Sequence, residues 1–213
     1  MANCNYMKRF DLFNYVLLLY LMAANILPFD GEIFYFPDVL DADSEWLYCQ
    51  VIKDETPWQQ QSVKIFGKWI PEPRLTCFYG DAGKCYSYSG LRLEPLAWTP
   101  ALLQLKNLSE SYSGTLFNVA LLNYYRDGKD SMGWHRDNEP ELGTEPIIAS
   151  FSLGAARKFS LRNFADKSVK QSIILEPGSL LVMRGKSQSC WEHCVPKKSK
   201  AEERINITFR RII

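Results

Sequence analysis

The sequence predicts a mainly β domain with flanking α-helices, and three observations carry that prediction. Short runs rich in β-branched and aromatic residues recur beyond Pro28, at 117–125, 147–154, 158–163, 172–183 and 204–212. Turn formers separate such runs, in "PEPR", "GDAGK", "RDGKD", "EPELG" and "EPG". Helical patterns fall earlier, at 9–24, 41–54 and 99–112. Together these describe an antiparallel core in one domain with an α-rich N-terminal flank.

The elements follow in chain order. Lys8 and Arg9 precede "YVLLLYLMAA" (15–24), which has the charge-then-apolar order of a secretory signal. The run is too short to span a bilayer. Asp11 and Asn14 interrupt it and no small-x-small cleavage site follows, so a buried or amphipathic helix is expected, in an apolar extension over 1–27 ahead of a domain over 28–213. The helix at 99–112 carries its own start signal, with Thr99 placed to cap it and Pro100 at the first helical position. The last run, "RINITFR", alternates: Arg204, Asn206, Thr208 and Arg210 share one strand face, and Ile205, Ile207 and Phe209 the other.

With 213 residues, 46% of them hydrophobic, the chain can bury a full core. Its formal net charge is only +1, so a nucleic-acid partner has to be met by a local patch. Residues 183–213 hold eight Lys or Arg against three acids, whereas 30–60 hold eight acids against one lysine. Within the basic third, Lys197 and Lys198 of "PKKSK" are candidates to hold phosphates; a solvated loop is the alternative. The six cysteines form no CxxC pair and no disulfide framework, which fits free thiols in a reducing, intracellular setting, cytoplasm or nucleus.

Two histidines occur in the whole chain. His135 stands two positions before Asp137, and on a β-ribbon such residues project to one side. His193 follows 56 positions after Asp137, a separation that lets several strands return to the same place. Two imidazoles and one carboxylate leave three positions of an octahedral Fe(II) open for a cosubstrate and O₂. Chance accounts for many His-x-Asp tripeptides, and Cys190, His193 and Cys194 offer a rival zinc set without a second ligand pair. The final strand adds weight. Two arginines on one strand face repel unless an anion lies between them, and a small dicarboxylate suits two guanidinium forks. Asn123 and Tyr125, also two apart, can donate to the same anion. The alternatives are Arg204 paired to Glu202 or Glu203 on a solvated face, and a tyrosine packed on its strand.

Taken in order, "NYYRDGKDSMGWHRDNEPELG", "PIIASFSLGAARKFSLRN", "GSLLVMRG", "WEHCVPK" and "RINITFR" resemble the AlkB family of iron- and 2-oxoglutarate-dependent dealkylases. The similarity runs from about "LPFDGEIFYFPDVL" to the C-terminus; "IFGKW", "PRLTCFYGDAGKCYSYSG" and "LEPLAWTP" lean toward the bacterial, double-strand-acting DNA branch. The resemblance implies a double-stranded β-helix, or jelly roll, with a nucleotide-recognition lid and DNA-contact region at about 60–98. It implies that His135, Asp137 and His193 hold Fe(II). Arg204 with Asn206 and Tyr125 would take the distal carboxylate of 2-oxoglutarate, with Thr208 on the same face, and Arg210 with Asn123 the carboxylate beside the keto group. Tyr86 and Tyr88 would belong to the lid, with Tyr88 stacking on an extruded base. Phe66 would be a wedge filling the gap in the duplex; its alternative is a buried strand residue. The implied reaction consumes O₂ and 2-oxoglutarate and frees a methyl group as formaldehyde from 1-methyladenine or 3-methylcytosine in single- or double-stranded DNA. Both lesions break pairing and carry positive charge, which suits an aromatic ring near a carboxylate such as Asp137 or Glu139. Other readings are the same chemistry on RNA or protein, and a nucleic-acid-binding module without turnover. A monomer with no membrane contact is expected.

Overall fold

The computed structural model describes residues 23–65, 67–88 and 91–213, so all but the last two residues of the segment expected as a helix at 9–24, and the wedge candidate Phe66, lie outside the described residues. The same holds for the side chains of Tyr86 and Tyr88, whose backbone is described.

Fourteen strands and three α-helices are described. Helix α1 (Ala42–Glu55) starts where the Asp41 side chain accepts from Ser44 N at 2.8 Å, and acids in its first turn complement the helix dipole. Helix α2 (Pro100–Ser113) begins with the expected Thr99 cap and Pro100, and ends at Gly114 in the left-handed region, φ 71°. A short α3 (Ser187–Cys190) follows later.

The strands form a two-sheet sandwich. The major sheet orders β1 (Glu32–Phe36), β12 (Leu180–Arg184), β9 (Ile148–Gly154), β14 (Arg204–Arg210), β7 (Val119–Tyr125) and β4 (Leu75–Gly80). The minor sheet orders β11 (Lys170–Leu175), β10 (Arg157–Asn163), β13 (Trp191–Val195) and β8 (Met132–His135). Two hairpins stand apart, β2 (Ser62–Ile65) with β3 (Lys68–Pro71), and β5 (Tyr86–Tyr88) with β6 (Leu91–Leu93). All the paired strands are antiparallel, and the jelly-roll expectation holds. The expected single run at 172–183 is two strands in different sheets. The turn between them uses Gly178 at φ 72°, where a Cβ would lie 2.8 Å from the Leu40 carbonyl oxygen, so the chain swings from one sheet to the other.

Period-two alternation gives the major sheet two different faces. Ile205, Ile207 and Phe209 of β14, with Leu122 and Phe151, pack beneath Ile52, Leu102 and Leu105 of the two long helices. The opposite face looks into the sandwich, where Ile148, Leu181 and Met183 meet Phe159, Leu161 and Trp191. Toward the other end of that interior the residues turn polar: Ser150, Ser152, Asn206 and Thr208, all buried. Every residue of β14 is buried, including both its arginines. Leu27 is buried in the inter-sheet layer, and Asn25 accepts from the backbone of Leu27 and Ile33. Among the described residues no helix is long and apolar enough to cross a membrane.

Glu203 ties α1 to the root of β14. It accepts from Lys53 Nζ and from the Tyr124 hydroxyl, each at 2.6 Å. These bonds hold its carboxyl below the usual glutamate range. A depressed carboxyl contributes stability that is complete above the unfolded value near 4.3 and disappears as pH falls through the folded value. Glu203→Gln is therefore expected to flatten the acid limb of a stability–pH profile below about pH 5. The cost at neutral pH is about 1 kcal/mol or less because the pair is a third exposed. Urea melts across pH check this, and an unchanged acid limb would reject the latch.

Candidate active site

The antiparallel pairing of β13 with β8 sets His193 directly opposite His135, with ring centroids 4.1 Å apart. Asp137 does not share the strand face expected of it. Strand β8 stops at His135, and Asp137 lies just beyond, where its backbone N–H is taken by the Gln188 side chain at 3.0 Å instead of by a neighbouring strand. That bond turns the carboxylate inward. One donor atom from each of His135, Asp137 and His193 then falls within 4.8 Å of the others. Cys190 and Cys194 join no such group among the described residues.

The donor chemistry suits a divalent cation. The Nδ1 of His135 lies 2.9 Å from the Gly133 carbonyl oxygen, so it must be the protonated nitrogen and Nε2 keeps its lone pair on the side of Asp137, 3.7 Å from Oδ1. Burial drives both imidazoles toward the neutral, ligating form; His193 is pushed down to about 3, with His135 adding to the effect. Burial would raise the Asp137 carboxyl, but the positive charge of Arg210 and its hydrogen bond outweigh it and hold Asp137 ionised. Asp137 Oδ2 accepts from Arg210 at 2.7 Å, while Oδ1, fully buried, has no hydrogen-bond partner. An orphaned buried carboxylate oxygen costs free energy unless a cation meets it.

Strand β14 lies between β7 and β9, and its register places Arg204 beside Tyr125 and Asn206 beside Asn123. The Asn206 amide is saturated: it donates to Ser150 Oγ (2.8 Å) and the Phe151 carbonyl (3.1 Å), and accepts from Thr208 Oγ1 (3.0 Å). Arg204 is different. It is 1% exposed and gives one bond, from Nη2 to Ser152 Oγ at 3.0 Å, leaving Nε and Nη1 without partners. Its guanidinium lies 5.3 Å from the Tyr125 ring centre, with Arg157 at 5.5 Å from the same ring. Arg157 has carbonyl partners at Asp127, Asp130 and Pro196; Arg204 has no counter-ion among the described residues. Neither Glu202 nor Glu203 pairs with it, since Glu203 is held by Lys53 and Tyr124.

Several expectations are corrected here. The two arginines of β14 are not side by side: they stand six positions apart on the strand, roughly 20 Å. Arg210 is engaged with Asp137, and Asn123 Oδ1 accepts from Arg74 Nε at 2.7 Å, so the two do not form a ready clamp. Asp137 Oδ2 is engaged with Arg210. Glu139 stands at the start of a 3-10 turn (Pro140–Leu142) without a side-chain cap bond and does not line the metal cavity. Lys197 and Lys198 are exposed but away from the cavity. Strand β13 passes His135 at His193 and ends at Val195, which lines the cavity; beyond it the chain leaves the sheet, and Lys198 N bonds the Gly128 carbonyl.

Arg74 was missed by sequence reasoning. It is 2% exposed, lines the cavity with Asn123 and Thr208, and also reaches Glu72 at 3.0 Å. The signal was present, since Arg74, Thr76 and Phe78 alternate with Leu75 and Cys77 in "RLTCF". Gln188, which turns Asp137, had no signal.

Comparison with known proteins adds independent findings. The profile of the 2OG-Fe(II) oxygenase superfamily matches residues 32–210. The chain is 40% identical over 187 residues to the Mus musculus protein named alpha-ketoglutarate-dependent dioxygenase alkB homolog 3, covering 83% of this chain and 64% of that one. It is 32% identical over 210 residues to the Arabidopsis thaliana protein named DNA oxidative demethylase ALKBH2, covering 86% and 67%. The chain thus spans less than two thirds of the length of the alkB homolog 3 it matches. The solved structure of OsALKBH1 superposes with a TM-score of 0.63 at 15% identity, covering 87% of this chain and 99% of that one, a likeness of fold.

Proposed function

The chain belongs to the 2OG-Fe(II) oxygenase superfamily and, within it, to the AlkB family, and from that premise we propose that it oxidatively demethylates alkylated bases of DNA, using Fe(II), 2-oxoglutarate and O₂. The observation that carries the proposal is the convergence of His135, Asp137 and His193 around the orphaned Asp137 Oδ1. When bound, the iron with its cosubstrate and O₂ supplies the oxidation of an N-methyl group, which leaves as formaldehyde.

The chain's own residues orient and neutralise. His135, fixed in one tautomer by Gly133, and His193 would give neutral nitrogens to the metal; Asp137 would give the charge. Arg204, with Asn206 and Tyr125 beside it, would receive the distal carboxylate of 2-oxoglutarate, which matches its two unmet donors. Arg210 would exchange its bond to Asp137 for the carboxylate next to the keto group, with Asn123 and Thr208 alongside. Residues 28–213 would be the oxygenase domain and 60–98 its lid and DNA-contact region, with Tyr86 and Tyr88 covering the base and Phe66 serving as the wedge. The extension 1–27 would precede it. A monomer acting inside the cell, in cytoplasm or nucleus, fits this reading.

The test is to incubate the protein with Fe(II), ascorbate, 2-oxoglutarate and oligonucleotides bearing 1-methyladenine or 3-methylcytosine, and to measure formaldehyde. Release from methylated DNA is expected. Release from methylated RNA alone would transfer the reading to RNA, and consumption of neither the methyl group nor 2-oxoglutarate would end it.

A further inference from the structure

One buried acid belongs to neither the metal set nor the cosubstrate set. Glu72 is 4% exposed and follows directly on β3, at the foot of the β2–β3 hairpin. Its backbone is held by the chain entering that hairpin: Glu72 N donates to the Gln61 carbonyl at 2.8 Å, and Gln60 Nε2 donates to the Glu72 carbonyl at 2.9 Å. With the main chain fixed at both polar groups, the side chain accepts from Arg74 Nη2 at 3.0 Å, in a pair almost wholly closed to water. Desolvation offsets most of the attraction in such a pair, so it is a weak source of stability and its geometry is the feature to explain.

What the pair holds is an amide. Arg74 Nε donates to Asn123 Oδ1 at 2.7 Å, and both side chains line the metal cavity with Asn206, Thr208 and Arg210. An asparagine amide has an acceptor at one end and two donors at the other, and a half-turn about its last bond exchanges them. A guanidinium has donors only, so it is compatible with one of the two orientations, the one with Oδ1 toward Arg74. Nδ2 is thereby turned toward Asn206, whose Oδ1 lies at 3.5 Å, the long limit of a hydrogen bond. The donor end of Asn123 thus faces the cavity with little of its bonding capacity taken up.

We propose that Glu72 is a positioning residue for 2-oxoglutarate: it fixes Arg74, and Arg74 fixes the Asn123 amide with its donors toward the cosubstrate carboxylate. The proposal rests on the reading of Asn123 as a cosubstrate contact. Glu72 does not itself line the cavity, so its effect passes through these two side chains. Without it the guanidinium can rotate off Asn123, and the amide can present its oxygen to the anion, where two acceptors oppose each other. The foot of the β2–β3 hairpin is in this way tied to the cosubstrate pocket.

The dissociation constant for 2-oxoglutarate is measured by titration calorimetry on the full chain loaded with Fe(II) under anaerobic conditions, where no turnover occurs. KM and kcat are measured separately with methylated oligonucleotide. Glu72→Leu is expected to raise the dissociation constant and KM together by about tenfold, the scale of one hydrogen bond to a charged group, with kcat changed less than about twofold. Asn123→Ala is expected to raise them likewise, and Glu72→Leu added to Asn123→Ala to change almost nothing more, because the amide to be oriented is gone. Removing one member of a buried pair can unfold a chain, so Glu72→Leu/Arg74→Met, which makes both positions apolar, is measured alongside with the same rise expected. Circular dichroism establishes that each variant folds. An unchanged dissociation constant in a folded Glu72 variant overturns the assignment, and so does an equal rise with and without the Asn123 amide, which would make Glu72 a structural group. An unchanged constant in Asn123→Ala overturns the cosubstrate reading of Asn123 and the proposal with it. The expected constants without formaldehyde release keep the positioning role and overturn the demethylase reading instead.

Discussion

Replacement of His193 by alanine is expected to abolish formaldehyde release and iron retention together, a loss well beyond the roughly 10–100-fold typical of a residue that merely supports a metal ligand. The reason is geometric. His193 sits on β13, paired to β10 on one side and to β8 on the other, so its ring is held opposite His135 by two ladders. No other buried imidazole exists to replace it, since the chain has two histidines. Stability is expected to move the other way from activity. The metal-free protein buries two imidazoles and a carboxylate beside Arg210, and removing one imidazole relieves a polar burial; melting of metal-free His193→Ala should therefore sit near or above that of metal-free wild type. In the presence of Fe(II) the wild type should gain stability that the variant lacks. Formaldehyde release at wild-type level by the variant would remove His193 from the site.

Arg204→Met is expected to raise the KM for 2-oxoglutarate by about 100-fold or more. Two lost charge-assisted hydrogen bonds are each worth about 1.5–3 kcal/mol, and every 1.4 kcal/mol is tenfold. Burial pushes the Arg204 guanidinium down to about 10, with the Tyr125 contact opposing and Arg157 reinforcing the shift. The side chain stays charged at neutral pH and lacks a counter-ion among the described residues. Such a charge is destabilising by itself, so methionine, of similar length and apolar, should leave the melting temperature of the cosubstrate-free protein unchanged or higher. The diagnostic is the rise in melting temperature that 2-oxoglutarate gives the wild type, which this variant should lose. Arg204→Lys, which keeps the charge but not the planar fork, should fall between the two. A wild-type KM in Arg204→Met would show that the dicarboxylate binds elsewhere.

Edge strands account for most of what a local reading of the fold overlooked. Strands β1 and β4 close the two sides of the major sheet and β8 one side of the minor sheet. Each has a ladder on one side only, and "MGWH" has no apolar alternation, with a buried-to-exposed pattern that never reaches full burial. Strand β14, by contrast, is flanked on both sides, and its alternation was readable residue by residue.

By itself the sequence determined the chemical inventory and the local geometry. It set the faces of β14, the Thr99 and Pro100 start of the second long helix, and the scarcity of histidine that singles out His135 and His193. Those features depend on neighbours within a few positions, where dihedral preferences and periodicity act. Only the tertiary structure decided which charged groups meet. The Gln188 bond that turns Asp137, the pairing of Arg210 with Asp137, the reach of Arg74 to Asn123 and the departure of Lys197 and Lys198 from the cavity are all set by strand register between segments tens of residues apart. Register is fixed when the hydrophobic patterns of distant strands are buried together on two sheet faces, so a pattern read on one segment alone does not say which partner residues it meets.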